Sequence, residues 1–335
     1  MAAGGEGGWI YVWDLSNSAK AKWVFQAPDL PTRSHNHIHA LAFVANDTEV
    51  VAAYEWGGLR IWNLQSRQSR PVSGWPQPSE YTLKTSTDWD GPDAEPPERR
   101  GERPVTALVS TMTESHVVAG DFSGRLFVVN AARGAVDRQI QSTLSGIQAI
   151  TLLEHENILI AADGGGKLEG YALASGAQVE FSKQPHHAAM VLLASDPNTS
   201  RLLSLDATDK LVWWTHHGMQ FIEDREVRGS QSPLAAELGA PGILYITTRA
   251  GPFQRLSAEN GMELGDTLNG HRLAVLTVRC TPAGDRCASG GLDGEVILWN
   301  TRQWHPLVAP AIVMYRASRS RPTAPTLYPP PPTVR

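Results

Sequence analysis

Apolar and polar residues alternate along this chain in short stretches of four to seven residues, and Gly, Asp, Asn or Pro bounds nearly every stretch. The segments "HALAFVA" (39–45), "EVVAAYE" (49–55) and "LRIWNL" (59–64) are rich in β-branched and aromatic residues, which predicts strands and not helices. Near the other end, "AVLTVRC" (274–280), "DRCASGG" (285–291) and "EVILWN" (295–300) are joined by "TPAG" and "LDG". Glycine there supplies the positive φ that tight turns demand, so each group of strands reads as an antiparallel meander.

The meander repeats. The opening "MAAGGEGGWIYVWDL" aligns without a gap over "CASGGLDGEVILWNT" (287–301), and the column under Trp13 continues through Trp62, Val129, Tyr171, Trp214, Leu256 and Trp299. Successive spacings are 49, 67, 42, 43, 42 and 43 residues. The column under Gly8 holds Gly57, Gly124, Gly166, Asp209, Gly251 and Gly294, and the one under Ile10 holds Leu59, Leu126, Leu168, Leu211, Phe253 and Val296. A single sheet of this size cannot cover its own apolar faces, so the seven copies must pack on one another, and a ring of sheets around a central channel accommodates them best.

The last copy resembles the WD-repeat β-propeller family. Gly270-His271 opens it, Ser289 lies on its second strand, Asp293 in the following turn, and Trp299-Asn300 closes it where the family has Trp-Asp. The resemblance implies a structural tetrad of His271, Ser289, Asp293 and Trp299 that ties the strands together by hydrogen bonds. In the other copies the Asp column reads Gly7, Trp56, Ser123, Gly165, Thr208 and Ala250, so the motif is degenerate although the period is strong. The expected fold is all-β: a seven-bladed β-propeller of four-stranded antiparallel sheets over residues 1–317, with an insertion loop at 74–104 and a basic, proline-rich, disordered tail at 318–335. Met1 to Gly5 match a second strand, which leaves the first blade without its innermost one. The stretch "HPLVAPAIVMYRA" (305–317) offers two short apolar runs, one for the outer strand of the last blade and one for the missing inner strand of the first; a truncated start is the alternative.

Composition narrows the function classes. A chain of 335 residues with 41% apolar residues can bury a large core, and a net charge of −5 argues against a dominant nucleic-acid or anionic-membrane surface. No apolar run is long enough to span a membrane and the start has no signal-peptide pattern, which reads as a soluble intracellular protein of the cytoplasm or nucleus. Two cysteines, Cys280 and Cys287, are too few for a disulfide framework and read as small buried apolar residues.

The turns between second and third strands place Glu55, Trp56, Phe122, Arg249 and Leu292 on the rim that also carries the insertion, and large apolar or Arg side chains among polar turns suit a protein-binding centre. His35, His37 and His39 alternate on one strand face, but no thiol or carboxylate companion marks them as a metal site; His186-His187 and His216-His217 read the same way. The "DGGGK" segment (163–167) precedes a strand and not a helix, which counts against phosphate binding. No nucleophile elbow or acid–base pair stands out. The expected protein is therefore a non-enzymatic scaffold or adaptor without cofactor, binding protein or peptide partners within a larger complex. The alternatives are an enzyme or small-ligand binder using the channel, and a nucleic-acid-associated subunit in which the basic tail and "ERRGER" contact phosphates.

Overall fold

The computed structural model describes residues 2–4, 8–13, 23–26, 37–45, 47–54, 58–75, 105–111, 115–153, 155–196, 201–228, 233–239, 242–248, 252–281 and 284–307. Among these residues there are 26 strands and no α-helix, and so no helix long and apolar enough to cross a membrane. Blade 1 comprises β1 (Ala2–Gly4), β2 (Trp9–Val12) and β3 (Trp23–Gln26); blade 2 comprises β4 (Ile38–Val44), β5 (Glu49–Tyr54), β6 (Gly58–Asn63) and β7 (Ser69–Pro71). Blade 3 is β8 (Val105–Ser110), β9 (His116–Asp121), β10 (Leu126–Asn130) and β11 (Ala135–Ile140), and blade 4 is β12 (Ile147–Leu153), β13 (Ile158–Asp163), β14 (Leu168–Ala172) and β15 (Gln178–Phe181). Blade 5 is β16 (Met190–Asp196), β17 (Arg201–Asp206), β18 (Lys210–His217) and β19 (Gln220–Arg228), followed by blade 6 with β20 (Pro233–Gly239), β21 (Ile243–Thr248) and β22 (Phe253–Ser257). Blade 7 is β23 (Val275–Cys280), β24 (Arg286–Gly291), β25 (Val296–Asn300) and β26 (His305–Leu307). Within every blade, consecutive strands pair antiparallel.

The cores lie between blades. Strand alternation sends every second side chain to one neighbour: Ile10, Val12 and Phe25 of blade 1 pack on Val50, Ala52 and Trp62 of blade 2. Five further clusters join blades 2 and 3, 3 and 4, 4 and 5, 5 and 6, and 6 and 7 in the same way. No such cluster is formed by the described residues of blades 7 and 1. Trp9 and Val24, on the opposite face of blade 1, remain 39% and 46% exposed, as does Leu276 of blade 7 at 51%. The innermost described strand of blade 1, β1, pairs only with β2. The outer strand expected for the last blade from residue 305 onward is present as β26, whereas the expected inner strand of blade 1 falls on residues outside those described, as does the tail.

Four features differ from the sequence reading. Gly74 and Trp75 belong to the body and not to the insertion: Trp75 is buried against Phe127, with ring centroids 4.6 Å apart, in the core between blades 2 and 3. Cys280 and Cys287 are joined by a disulfide, because they are direct cross-strand partners of β23 and β24 with Cα atoms 4.0 Å apart. Blades 4 and 5 do not form separate four-stranded sheets. Their outer strands β15 and β19 pair in parallel through Glu180 N–H to Met219 O (2.9 Å) and Ser182 N–H to Phe221 O (2.8 Å), which yields one eight-stranded sheet. Blade 6 has three strands, and an irregular return closes its outer edge through bridges Leu256–Glu263 and Phe253–Leu268.

A regular irregularity recurs at the channel. The six described inner strands shift register beside their first residue, between Ile38 and Ala40, Val105 and Ala107, Ile147 and Ala149, Met190 and Leu192, Pro233 and Ala235, and Val275 and Thr277. Such a bulge bends the start of each strand and re-aims its side chains at the rim.

Candidate functional site: the blade ties and the rim

Antiparallel order puts the turn between second and third strands at the same end of each blade as the loop that enters the next inner strand. Those turns and loops build one rim, and buried polar groups fix their shape. In blade 7, Trp299 Nε1–H donates to Ser289 Oγ (2.7 Å), Ser289 lies 2.8 Å from His271 Nε2, and His271 Nδ1 lies 3.1 Å from Asp293. One proton arrangement satisfies every atom: Trp donates to Ser, Ser to Nε2, and Nδ1–H to the carboxylate. The Asp293 carboxylate also accepts the amides of Arg272 (2.8 Å) and Glu295 (3.1 Å). Burial works to raise the Asp293 pKa, but these amides and His271 together hold it below the usual carboxylate range.

Blade 5 contains a second tie of the same kind. Trp214 Nε1–H donates to Ser204 Oγ (2.8 Å), Ser204 lies 2.7 Å from His186 Nε2, and His186 Nδ1 lies 2.9 Å from Asp206. Its His-to-Ser and Ser-to-Trp separations, 18 and 10 residues, equal those of blade 7. Only the acid has moved. Asp206 is the last residue of β17, two residues before the column position that holds Thr208, so a column restricted to that position overlooks it. Asp121 and Asp163 occupy the same strand-end position in blades 3 and 4. Asp121 accepts the amides of Ser123 and Arg125 (both 2.9 Å), and Asp163 those of Gly165 (2.9 Å) and Lys167 (3.0 Å) together with Ser145 Oγ (3.1 Å). Blade 7 has Gly291 at that position, and a Cβ there would come within 2.6 Å of both Asp293 Oδ1 and His271 Nδ1. The carboxylate of Asp293 thus fills the space that an aspartate at the strand end would need.

These contacts give structural roles to groups that the sequence leaves open. His186 is a buried tie, and burial lowers its pKa although Asp206 beside it acts to raise it. The "DGGGK" turn wraps its own Asp163 carboxylate. In blade 4, where Tyr171 replaces the Trp, buried Glu169 accepts from Tyr171 Oη, Lys167 Nζ (2.9 Å) and the Thr143 amide (3.1 Å). Burial opposes ionisation of Glu169, but the hydrogen bonds win and lower its pKa, while burial raises that of Tyr171.

Of the residues assigned to the rim from sequence, Phe122 and Leu292 project into solvent, 67% and 57% exposed, and Leu273 joins them at 48%. Glu55, Trp56 and Arg249 lie outside the described residues, as do His35 and nearly all of the 74–104 insertion. Leu273 and Leu292 stand where the rim opens into the central channel, which together with the seam between blades 7 and 1 encloses about 1570 Å³. The channel wall is mixed, with Leu41, Leu108, Ile150, Val191, Leu238 and Leu276 facing it alongside Thr106, Gln148, Thr151, Ser195 and Thr277. Charged and imidazole groups on the described wall are His37 and His39, with ring centroids 6.5 Å apart, and the Glu237–Arg279 ion pair at 2.9 Å. Burial pushes the Glu237 carboxyl up despite its cationic neighbour. Among the described residues no three His, Cys, Asp or Glu converge as a cation site would require.

Comparison with known proteins agrees with this architecture. Residues 262–300 match the family model described as "WD domain, G-beta repeat", which covers the blade 7 tie. The C-terminal WD40 domain of Sif2 superposes with a TM-score of 0.62 at 16% identity, covering 90% of this chain and 78% of that one. The computationally designed Ika8 protein superposes with a TM-score of 0.63 at 20% identity, covering 91% of this chain and 82% of that one. A matching repeat at one end and superposition over nine-tenths of the chain show a β-propeller fold whose last blade is similar to a WD repeat.

Proposed function

We propose that this propeller is a non-enzymatic adaptor that binds a protein or peptide partner across the rim bearing Phe122, Leu273 and Leu292, as a subunit of a larger complex. The fold is that of a protein-interaction scaffold in general, and the observation that carries the specific reading is the exposure of three large apolar side chains on one rim. Exposed apolar groups ringed by polar turns are what a partner covers. A channel enzyme would instead need ionisable groups gathered on the wall, and the described wall offers one ion pair and two histidines. The "ERRGER" run and the basic tail, on which a nucleic-acid role would rest, lie outside the described residues.

The test is affinity capture from the native cell with the wild-type chain and with a Phe122→Ala/Leu292→Ala double variant. Partners retained by the wild type should be lost by the double variant while its melting temperature stays the same. Equal capture by both would move the interface off this rim.

A further inference from the structure

The hairpin that carries Cys280 and Cys287 is closed without their disulfide. Thr281 N–H donates to Arg286 O (2.9 Å), Gly284 N–H to Thr281 O (2.8 Å), and Thr281 Oγ1–H to the Asp285 carboxylate (2.7 Å). The Gly284 carbonyl also accepts from Thr301 Oγ1, which ties the turn to the residue after β25. Blades 2, 4 and 6 close the same hairpin with pairs such as Val44–Glu49, Leu153–Ile158 and Gly239–Ile243, and the chain holds no cysteine outside blade 7. A disulfide stabilises mainly by closing a loop that the unfolded chain leaves open, least so for short loops, and the sequence separation here is only 7. Fold stability therefore gives little account of the bond.

The two sulfurs stand in unlike places. Thr281 and Arg286 form a hydrogen-bonded pair, so Cys280 and Cys287 are the adjoining pair without backbone hydrogen bonds, whose side chains approach most closely. Cys287 is 1% exposed, in the core between blades 6 and 7 with Phe253, Val278 and Trp299. Cys280 packs on the edge of that core and is only half-buried, at the end of β23 on the rim opposite Phe122 and Leu292. An attacking thiolate therefore reaches the sulfur of Cys280 and not that of Cys287. Once released, Cys287 remains in surroundings that suit a neutral thiol, since a buried thiol packs as a small apolar group.

We infer that Cys280 and Cys287 are an exchangeable redox pair, and that Cys280 is the site at which a small monothiol such as glutathione is attached. The thiolate of the monothiol attacks Cys280 Sγ and forms a new S–S bond. The Cys280–Cys287 bond breaks, and its electron pair and the proton given up by the incoming thiol end on Cys287. The product is a mixed disulfide at Cys280 beside a free Cys287 thiol. A second monothiol attacks the outer sulfur of the mixed disulfide, leaves Cys280 as a thiol and departs as the small-molecule disulfide; oxidised monothiol drives both steps in reverse. The pair lies at the far end of its blade from Leu292 and does not depend on the rim-binding reading.

The experiment equilibrates the full chain with reduced and oxidised glutathione in varied ratio, quenches with N-ethylmaleimide and maps the thiols by mass spectrometry. Trypsin cuts after Arg279, Arg286 and Arg302, so the two cysteines fall on separate peptides, 280–286 and 287–302. The bridge should be lost in excess reduced glutathione and restored in oxidised glutathione while the native circular dichroism spectrum persists. At intermediate ratios the adduct on 280–286 should exceed that on 287–302 about tenfold or more. Cys287→Ala should accept one glutathione, and Cys280→Ala should do so about tenfold more slowly when native but equally fast in denaturant, because burial sets the difference. Adducts shared equally between the peptides, or favouring 287–302, overturn the inference. A bridge that resists reduced glutathione until denaturant unfolds the chain would be a structural staple and overturns it too, as do thiols that stay free in excess oxidised glutathione.

Discussion

Blades 5 and 7 carry the same tie with the same sequence spacings, yet they sit in different surroundings. Blade 5 is packed on both sides, by clusters shared with blade 4 and with blade 6, and its outer strand is zipped to blade 4. Blade 7 shares a cluster with blade 6, while its opposite side faces the seam with blade 1, where Leu276 is half exposed. The His186 and Asp206 side chains are 0% and 2% exposed against 0% and 6% for His271 and Asp293, and Asp206 collects Thr208 N–H (2.8 Å), Thr208 Oγ1–H (2.6 Å) and Lys210 N–H (3.2 Å) besides the histidine. The comparison teaches that a four-residue motif specifies a local hydrogen-bond chain, whereas the neighbours decide how much stability depends on it.

The largest effect is expected at the seam. Truncation after residue 304 removes β26 and its pairing with Leu298, Trp299 and Asn300, together with the apolar run at 312–314 that the sequence reading places against blade 1. Each apolar side chain that loses its burial costs about 1.5–3 kcal/mol. That variant should aggregate or melt far below the full chain, whereas a variant ending at residue 318 should stay within about 0.5 kcal/mol of it. Solubility and hydrogen exchange of β1 and β2 provide the measurement. Equal behaviour of the two truncations would show that the seam is closed by something other than residues 305–317.

Next in size are the two tie tryptophans, both fully buried. Trp214→Ala should cost about 3–5 kcal/mol, and Trp299→Ala should fall near the lower end because the looser blade 7 can relax into the space. Denaturant melts of both variants decide this, and a larger loss at Trp299 would invert the comparison. Removing the acids should cost less, about 1–3 kcal/mol each, with Asp206→Ala above Asp293→Ala because it leaves His186 and two turn amides unpaired inside a filled interface.

The smallest expected effect is on pH dependence. Burial keeps the folded-state pKa of His186 below its unfolded value near 6.5, so the unfolded chain binds the extra proton first. The associated stability is complete above about pH 6.5 and is lost as pH falls through the lowered value. Asp206, also lowered against the effect of its burial by Thr208, His186 and the turn amides, adds a further loss below about pH 3.8. Melting temperature should therefore decline from pH 7 toward pH 5, and His186→Gln, less stable at pH 7, should show a shallower decline over that window. An unchanged slope in the variant would assign the acid sensitivity elsewhere.

Much of the fold is legible in the amino-acid order because strand period, turn glycines and repeat spacing are local properties. The alternation of Ile10, Val12 and Phe25 against Trp9, Tyr11 and Val24 marks two faces without any coordinates. Within the sites, the 18- and 10-residue spacings that define the blade 7 tie were equally present around His186, Ser204 and Trp214. They were hidden because the acid is supplied from a different backbone position, and only the placement of Gly291 shows why both positions serve the same carboxylate site. Phe122 was legible as a rim residue from its turn; the recess beside it was not, since most of its lining, from Ser145 to Gln148, Gly164 and Ala189, comes from other blades.

Sequence alone therefore determined the strands, the repeat and the end of each blade at which the turns collect, since these depend on interactions among near neighbours. Tertiary structure decided what near neighbours cannot encode. It placed Trp75 in a core, brought Cys280 opposite Cys287, merged blades 4 and 5 into one sheet, and put a bulge at the start of each described inner strand from β4 to β23. Each of these is a contact between segments whose approach is set by how whole blades pack around the channel, and packing of that kind responds to shape and volume across an interface, which no residue carries by itself.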